Sequence, residues 1–405
     1  MRVAIAGAGI GGLAVAALLA KAGLEVALYD QFDAPRAVGS GLVIQPVGLA
    51  VLDLCDAGAE ARAMGQHIAR MLGREVTRGR RVLDVSYDRE GRKELQGLTI
   101  HRAALHGALL AAAGRLGVAV VPSSLVAAAP MAGAKRKLQM ADGRVEGPFD
   151  LVIDASGAGS ALSPLRARPL PYGAIWGTVP WPDATTLPAD QLSQRYFKAR
   201  HMIGVMPLGQ VPGRIGPQAA LFWSMRRDEL AQWPSRDATE WKQQAATLWP
   251  EMHPFLAEIV TTAQMTPASY THGNLRRPYA DRLAFIGDAA HRASPQLGQG
   301  ANMALLDALA LSLALQRGPL EQALATCARM RRWHVRIYQG MSAAFTPQYQ
   351  SDSRVLPALR DWALAPLSLT WPLPRILSRL VAGELIPPLA GEAFPTRAFH
   401  LGLNT

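Results

Sequence analysis

A glycine-rich turn near the amino terminus constrains this chain more than any other feature, because it joins an apolar strand to a helix. Residues 7–12 read Gly-Ala-Gly-Ile-Gly-Gly, and an Ala- and Leu-rich run continues from there to residue 22. Gly7 permits a tight turn, Gly9 lets a pyrophosphate approach the backbone, and Gly12 lets the helix pack closely on the strand. The first helical turn also points free N–H groups at the phosphates. The sequence therefore predicts a Rossmann-like α/β domain that binds a dinucleotide.

An acidic residue ends the second apolar strand. Asp30 lies 18 residues after Gly12, at the position where a carboxylate binds a pair of ribose hydroxyls. A carboxylate there disfavours a 2′-phosphate, so NADP is not expected at this site. The apolar amino terminus is similar in composition to a signal peptide, but glycines interrupt it and a second strand follows at once. We therefore expect a structured amino terminus and a cytoplasmic protein.

A second strand-and-glycine motif lies almost the full chain away. Residues 283–288 read Leu-Ala-Phe-Ile-Gly-Asp, a buried strand that ends in an acid, and Pro295 follows. The loop 298–302, Gly-Gln-Gly-Ala-Asn, then opens a helix that we predict to be amphipathic over residues 303–316. An acid at a strand end and a glycine loop at a helix start again form a site for hydroxyls or anions. Two such sites favour one extended cofactor across the sheet, because NAD alone leaves the second unexplained.

Taken in chain order, these motifs resemble those of the FAD-dependent aromatic hydroxylases, the group A flavoprotein monooxygenases of the para-hydroxybenzoate hydroxylase type. The resemblance rests on the turn 7–12, Asp30, Gly-Asp-Ala-Ala-His at 287–291, and Pro-x-x-Gly-Gln-Gly at 295–300. Further matches are Arg36, Gly-Ser-Gly at 39–41, and Thr-Ile-His-Arg at 99–102. The family's fold is α/β, with a Rossmann-like FAD-binding domain and an antiparallel-sheet substrate domain. We expect the same here, followed by a helical carboxyl-terminal tail.

The resemblance also implies a role for each matching residue. Asp30 is expected at the adenosine ribose and Asp288 at the ribityl chain, while Pro295 is expected beside the isoalloxazine at the substrate face. Arg36 and Arg102 are expected along the pyrophosphate and ribityl region. The loop 298–302 offers N–H groups to the pyrimidine edge, where reduced flavin carries negative charge, and for His291 we predict a structural role. The predicted cofactor-binding residues are Gly7, Gly9, Gly11, Gly12, Asp30, Arg36, Gly41, Arg102, Gly157, Asp288, Gly298, Gly300, Ala301 and Asn302.

The chain departs from the family pattern at a motif in its middle. Ser156 stands where an aspartate is usual and Ser163 where an arginine is usual, while Gly157 matches. In the family this motif is tied to both FAD and the pyridine nucleotide. We therefore expect FAD binding to persist through the other contacts, and leave open whether NADH or NADPH reduces the flavin. Asp154 and Arg166 are the residues nearby that could compensate.

The stretch 171–277 carries short β-like runs separated by turn residues, a pattern typical of an antiparallel sheet. A helix is predicted over residues 233–256, broken by Pro250 and Pro254. We expect the sheet to cover the cofactor and to form one wall of an apolar pocket. The predicted pocket residues are Tyr196, Met206, Phe222 and Trp223.

The carboxyl-terminal region, from residue 336, is rich in Pro, Leu and Trp. Arg375 and Arg379 interleave with the apolar positions of a short amphipathic helix predicted over residues 376–385. One interpretation is a helix that packs on the FAD-binding domain. The other is a surface that meets a membrane or delivers a lipophilic, quinone-like substrate. No run reaches about 18 uninterrupted apolar residues, so no transmembrane span is expected.

Composition excludes several other classes of protein. The chain has 405 residues and a formal net charge of +11, but its basic residues are spread along its length, so nucleic-acid binding is not expected. The two cysteines, Cys55 and Cys327, lie far apart without metal-ligand spacing. The sequence therefore predicts no metal site and fits a reducing compartment.

The combined prediction is an FAD-dependent monooxygenase that hydroxylates an aromatic or related electron-rich molecule through a flavin C4a-hydroperoxide, using NADH or NADPH and O2. In this chemistry the protein supplies position and dryness. Three alternatives remain: a flavin halogenase, which the run 176–180 partly matches, an oxidoreductase of prenyl or polyene chains, and an FAD-binding protein without self-sufficient turnover. The predicted organisation is an FAD-binding domain (1–72, 98–170 and 278–335), a substrate-binding sheet domain (73–97 and 171–277) and a carboxyl-terminal helical segment (336–405).

Overall fold

The computed structural model describes residues 1–34, 40–87, 96–392 and 394. Arg36, predicted to bind the cofactor, lies outside the described residues. The strands, in chain order, are β1 (Arg2–Ala6), β2 (Glu25–Tyr29), β3 (Gly41–Ile44), β4 (Gln66–Ile68), β5 (Arg70–Glu75), β6 (Arg81–Ser86), β7 (Gly97–His101), β8 (Val120–Val121), β9 (Val126–Ala128), β10 (Met131–Ala132), β11 (Lys135–Met140), β12 (Val145–Phe149), β13 (Leu151–Asp154), β14 (Arg168–Pro180), β15 (Gln191–Phe197), β16 (His201–Gly209), β17 (Gln218–Arg226), β18 (Met265–Asn274), β19 (Tyr279–Ala280), β20 (Leu283–Phe285) and β21 (His291–Arg292).

The helices, in the same order, are α1 (Ile10–Lys21), α2 (Pro46–Leu54), α3 (Gly58–Met64), α4 (Arg102–Arg115), α5 (Arg227–Gln232), α6 (Ala238–Leu248), α7 (His253–Ala257), α8 (Gly300–Leu315), α9 (Leu320–Tyr349), α10 (Val355–Leu359), α11 (Ala365–Ser368) and α12 (Leu373–Ala382). A π-helical turn, Arg360–Leu364, joins α10 to α11. None of these helices is long and apolar enough to cross a membrane, for the residues that the structure describes.

Six strands form a mostly parallel sheet in the order β19-β20-β13-β1-β2-β8. β1 lies near the centre and pairs in parallel with both β2 and β13, so that Ala6 is level with Tyr29 and with Asp154. β20 extends the parallel set beside β13, with Phe285 level with Asp154. The carboxyl ends of these strands therefore meet at one edge, which brings together two motifs that lie far apart in sequence. Ligands of open α/β sheets bind at this edge.

The largest apolar core lies among the helices that pack on this sheet, where α8 contacts α1, α2 and α9. The prediction of an amphipathic helix over 303–316 is wrong in two respects. The helix begins at Gly300, and its residues are buried on nearly all sides, including Leu305, Leu309 and Leu311. The cause is its central position, since a helix enclosed by neighbours has no solvent face to keep polar.

The second sheet has eight strands in the order β21-β18-β14-β17-β16-β15-β5-β6. Its pairs are antiparallel except β15 with β5, which run in parallel. One face packs against α6 and α7 around a core rich in tryptophan, and the other forms a second apolar cluster with α12. The helix predicted over 233–256 is divided at Pro250 and Pro254, as expected, because each proline lies in the first turn of a separate short helical segment. A further short segment with Pro234 in its first turn precedes α6.

The carboxyl-terminal helices fold back over this second face. α9 runs for 30 residues along α8, and the hydroxyl of Tyr338 on α9 donates to the carbonyl of Leu380 on α12 at 2.8 Å. The hydroxyl of Ser378 donates to the carbonyl of Ser86 at 2.9 Å, which fixes α12 to β6. The tail therefore forms part of the wall of the space between the two sheets.

Candidate active site

A cavity of about 1430 Å³ connects the carboxyl edge of the parallel sheet with the second sheet. Its walls include the turn after β1, the loop 293–301, residues of β14, β16 and β17, and the carboxyl-terminal helices. Pockets for small molecules usually measure about 300–1,000 Å³. This cavity is therefore large enough for an extended dinucleotide together with a second small molecule.

The glycine turn has the shape that a phosphate cradle requires. Gly7 has a φ of +101°, and a Cβ built there lies 2.6 Å from the carbonyl oxygen of Ala155. A Cβ on Gly12 lies 1.8 Å from the carbonyl oxygen of Gly7, so a side chain there would push α1 away from β1. A Cβ on Gly9 meets no atom within 4 Å in the part of the chain that the structure describes, because this residue faces the cavity. Gly11 also lines the cavity, whereas Gly12 does not.

Two side chains fix this turn from either side. The carboxylate of Asp30 accepts the N–H of Ala8 at 2.7 Å and the N–H of Phe32 at 3.0 Å, and it lines the cavity. Nε2 of His106, a buried residue of α4, lies 2.9 Å from the carbonyl oxygen of Ala8. The role of His106 was not predictable from the sequence, because a lone histidine within an Ala- and Leu-rich helix carries no motif.

The second motif brings Gly287 and Asp288 to the same edge, where both line the cavity. The N–H of Gly287 donates to Asp307 Oδ2 at 3.0 Å, and Nε2 of His291 lies 2.6 Å from the same oxygen. Arg331 donates from Nε to Asp307 Oδ1 at 2.8 Å. Burial alone raises the pKa of Asp307, but the charges of His291 and Arg331 and their hydrogen bonds lower it below its usual range. His291 therefore occupies a buried ion-pair network that supports the turn at Asp288.

The loop after β21 lines the cavity with Pro295, Gly298, Gly300 and Ala301. Asn302 was predicted to bind the cofactor, but its side chain is fully buried and does not line the cavity. Its Oδ1 accepts the N–H of Gln45 at 2.9 Å, and its Nδ2 donates to the carbonyls of Val43 and Gly298 at 3.2 and 3.0 Å. Asn302 therefore ties the loop to β3. Gly41 and Arg102, at the ends of β3 and β7, line the cavity nearby.

The predicted pocket residues separate according to the face of the second sheet on which they lie. Met206 and Phe222 line the cavity. Trp223 does not, because the next residue along a strand points to the opposite face, where it packs edge-on against Trp241 at 6.1 Å between ring centroids. Tyr196 lies behind the cavity wall, where its hydroxyl donates to Gln194. The predicted roles of Trp223 and Tyr196 in lining the pocket are therefore wrong.

Two aromatic residues at the cavity were missed. Trp176 lies level with Phe222 in the β14–β17 ladder, and the two rings lie 4.7 Å apart. Its indole N–H donates to the hydroxyl of Tyr270 at 2.8 Å. Burial raises the pKa of Tyr270, so this phenol stays protonated at neutral pH. The alternation of β14 contained this signal, but only the pairing with β17 shows which face of the strand is the pocket face.

Comparisons with known proteins agree with this geometry. Residues 176–324 match the FAD binding domain family, and residues 5–37 match the NAD(P)-binding Rossmann-like domain family. A Rhodococcus erythropolis protein named as a 2-heptyl-3-hydroxy-4(1H)-quinolone synthase is 29% identical over 328 residues, 77% of this chain and 79% of that protein. The 6-hydroxynicotinate 3-monooxygenase of Bordetella bronchiseptica is 27% identical over 350 residues, 80% of this chain and 85% of that protein. Over most of its length, this chain is similar to FAD-dependent aromatic hydroxylases.

A solved structure supports the same assignment at the level of the fold. Klebsiella pneumoniae HpxO, crystallised with FAD and uric acid, superposes with a TM-score of 0.76 at 19% identity over 94% of this chain and 97% of that chain. The resemblance therefore extends beyond the FAD-binding motifs to the second sheet and most of the helical tail.

The altered middle motif of this chain forms a closed local network. Asp154 is fully buried and accepts both the N–H and the hydroxyl of Ser156, at 3.1 and 2.5 Å. Its other oxygen accepts the hydroxyl of Ser160 at 2.5 Å. The hydroxyl of Ser163 donates to the carbonyl of Ala289 at 2.5 Å, which links this loop to the turn at Asp288. Asp154 thus stabilises the loop from within, and Ser156 and Gly157 line the cavity.

Proposed function

We propose that this chain is a hydroxylase that adds one oxygen atom from O2 to an aromatic ring, with FAD as cofactor and NADH or NADPH as electron donor. The observation that carries the proposal is the shared cavity, into which the dinucleotide edge and the apolar face of the second sheet both open. The names of the relatives, which include a quinolone synthase and a hydroxynicotinate monooxygenase, support a phenol-like or heteroaromatic substrate.

The residues at the strand edge fit FAD. We propose that Gly9 and the start of α1 contact the pyrophosphate, that Asp30 accepts the ribose hydroxyls and that Asp288 accepts the ribityl hydroxyls. Arg102 supplies positive charge nearby, and the N–H groups of the loop 298–301 face the flavin edge. Bound FAD supplies the reductive activation of O2. The division into domains with the boundaries given above is part of the same proposal.

The substrate end positions a ring and keeps it dry. Trp176 and Phe222 form an aromatic platform in the cavity wall, and Pro295, in the loop 293–301, lines the same cavity. The hydroxyl of Tyr270 accepts from the indole of Trp176, which leaves its own proton available to an oxygen of the substrate. Exclusion of water from such a site protects reactive intermediates from hydrolysis. No general base is assigned.

The test is substrate-dependent oxidation of the nucleotide. The purified holoenzyme is mixed with NADH or NADPH in air and with a panel of phenols and hydroxyquinolines, and the oxidised nucleotide, O2 and hydroxylated product are measured. We expect one ring class to stimulate oxidation and to yield one product molecule, labelled from ¹⁸O₂, per nucleotide. Stimulated oxidation that yields only hydrogen peroxide, or product labelled from water, would contradict the proposal.

The choice between NADH and NADPH is decided in the same assay, and a matched variant tests the altered motif. Ser156→Asp introduces the usual family residue, but it places a second carboxylate beside buried Asp154. If Ser156 and Ser163 already support reduction, Ser156→Asp lowers or leaves unchanged the rate of flavin reduction. A large increase would show that the native loop is deficient in its interaction with the nucleotide.

We further propose that this enzyme is cytoplasmic and contacts the anionic face of a bilayer through its tail. Trp371 is 78% exposed and lies between α11 and α12, while Arg80 lies 3.5 Å above the ring of exposed Trp362. Exposed aromatic rings flanked by arginine are typical of interfacial helices. In a flotation assay, the wild type is expected to float with vesicles of phosphatidylglycerol, whereas the Trp371→Ser variant is expected to stay unbound. The matched control, Val260→Ser, removes an apolar side chain outside the tail that is 79% exposed. Equal loss in both variants, or binding independent of lipid charge, would refute the contact.

A further inference from the structure

The charges of the cavity lie mostly at one end. Asp30, Arg102 and Asp288 lie at the dinucleotide edge. Around the apolar face of the second sheet, the carboxylate and guanidinium groups that line the cavity within the described residues are those of Asp84 and Arg360. Asp84 is paired, with one oxygen 2.7 Å from a guanidinium nitrogen of Arg70. A second arginine also contacts its carboxylate.

Each nitrogen of the Arg360 guanidinium donates a hydrogen bond inside the protein, and the group is paired with Asp361. Its side chain is almost completely buried. Nε donates to Asp361 at 2.7 Å, Nη1 to the carbonyl of Gln348 at 2.8 Å and Nη2 to the carbonyl of Lys198 at 3.1 Å. Within the described residues, a carboxylate bound at this end would therefore lose its hydration without gaining an ion pair to Arg360, which is strongly unfavourable.

The polar atoms that remain at this end are neutral. The side-chain carbonyl oxygens of Gln296 and Gln339 are buried and accept no hydrogen bond from the described residues. Both residues line the cavity. A buried acceptor without a donor is costly unless a ligand supplies one. These atoms therefore favour a ligand that carries an O–H or N–H group and no charge.

The helical tail adds a long apolar wall. Leu373, Leu377 and Leu380 recur at helical spacing on α12, and Leu364 and Leu367 do so one turn apart before it. All five line the cavity. The strand β6 packs against both α11 and α12, the helices that carry four of these leucines. The wall is longer than one aromatic ring requires, since it spans two helical segments.

We propose that the substrate is an uncharged aromatic ring that carries a hydrocarbon chain, and that this chain lies between β6 and the leucines of the tail. The ring would bind at the platform of Trp176 and Phe222, with its polar hydrogen directed to the neutral acceptors. The proposal rests on the proposed function for the position of the ring. It goes further by assigning to the tail a subsite for the chain, with access through the rim at Leu367.

Equilibrium binding to the holoenzyme, without any pyridine nucleotide, tests the class of ligand. Flavin fluorescence is followed during titration with 4-alkylphenols, from 4-methylphenol to 4-heptylphenol, and with 4-hydroxybenzoate. Burial of each added methylene is expected to tighten binding about threefold to fourfold, and 4-hydroxybenzoate is expected to bind most weakly. Affinity that does not depend on chain length, or tightest binding of 4-hydroxybenzoate, would overturn the proposal.

Two neighbouring leucines provide a matched pair of variants. Leu367 is 53% exposed and lines the cavity, whereas Leu369 is 44% exposed and does not. Leu367→Gln is expected to weaken 4-heptylphenol binding about tenfold and to leave 4-methylphenol unchanged, while Leu369→Gln changes neither. Identical behaviour of the two variants would refute the chain subsite.

The outcome separates this inference from the proposed function. Chain-dependent binding without stimulated nucleotide oxidation supports the ligand class and contradicts the hydroxylase reaction. Hydroxylation of 4-hydroxybenzoate in preference to alkylphenols supports the reaction and contradicts the ligand class.

Discussion

Replacement of Gly9 by alanine separates cofactor binding from folding. The backbone at Gly9 has φ −76° and ψ −173°, an extended conformation that alanine adopts without strain. A Cβ there meets no atom of the described residues within 4 Å. The gain from a less flexible unfolded chain, about 0.4–1 kcal/mol, is offset by the poorer N-cap, which costs a similar amount. We therefore expect the free energy of unfolding of the apoprotein to change by less than about 1 kcal/mol.

Cofactor affinity should respond very differently. The new methyl group occupies the space through which a pyrophosphate approaches the turn, so at least one hydrogen bond to a charged oxygen is lost, about 1.5–3 kcal/mol. This corresponds to roughly a 10- to 150-fold rise in the Kd of FAD. The assay is titration of the apoprotein with FAD by flavin fluorescence, beside urea unfolding. Gly107→Ala is the matched control, because a Cβ there also meets nothing within 4 Å but lies away from the cavity. Wild-type FAD affinity in Gly9→Ala would refute the placement of the pyrophosphate.

Three further predictions follow from the same geometry. Gly12→Ala places a Cβ 1.8 Å from a backbone oxygen and should lower the free energy of unfolding, measured with urea, by about 1–3 kcal/mol or more. A urea midpoint equal to that of the wild type would contradict the close packing of α1 on the turn. Asp307→Asn leaves buried Arg331 without its partner and should cost about 3–5 kcal/mol. Because the pKa of Asp307 is lowered in the folded state, the wild type should lose stability as the pH falls below about 4, a dependence that the variant lacks. Phe222→Leu should raise KM for the substrate several-fold through lost ring contacts. Trp223→Ala should lower the free energy of unfolding by about 3–5 kcal/mol and leave KM unchanged. A raised KM in Trp223→Ala together with an unchanged KM in Phe222→Leu would refute the assignment of the two residues to opposite faces of the sheet.

The dinucleotide end of the cavity was predictable because its determinants are local. A glycine turn between a strand and a helix has few conformations, and parallel strands bring their carboxyl ends to one edge. The positions of Gly9 and Asp30 at the cavity follow from these two rules. His291 was also expected to be structural, and the structure places its Nε2 within hydrogen-bonding distance of Asp307.

The substrate end depended on pairing between distant segments. Met206 and Phe222 line the cavity and Trp223 does not, and the sequence shows only that neighbours alternate, not which face meets the cofactor domain. Asn302 follows a glycine loop, as a ligand-binding residue does, but its amide binds Val43, which is 259 residues away. The leucines of the tail show helical spacing in sequence, yet their place in the cavity wall depends on how α12 folds back on β6.

The most direct test of the central claim, that one cavity holds a reducible flavin beside its ring substrate, is anaerobic reduction. Flavin absorbance of the holoenzyme is followed as NADH and then NADPH are added, with and without 4-alkylphenols. The account predicts that one nucleotide bleaches the flavin and that a bound phenol accelerates the bleaching. A yellow protein that neither nucleotide reduces, with or without a phenol, would contradict it.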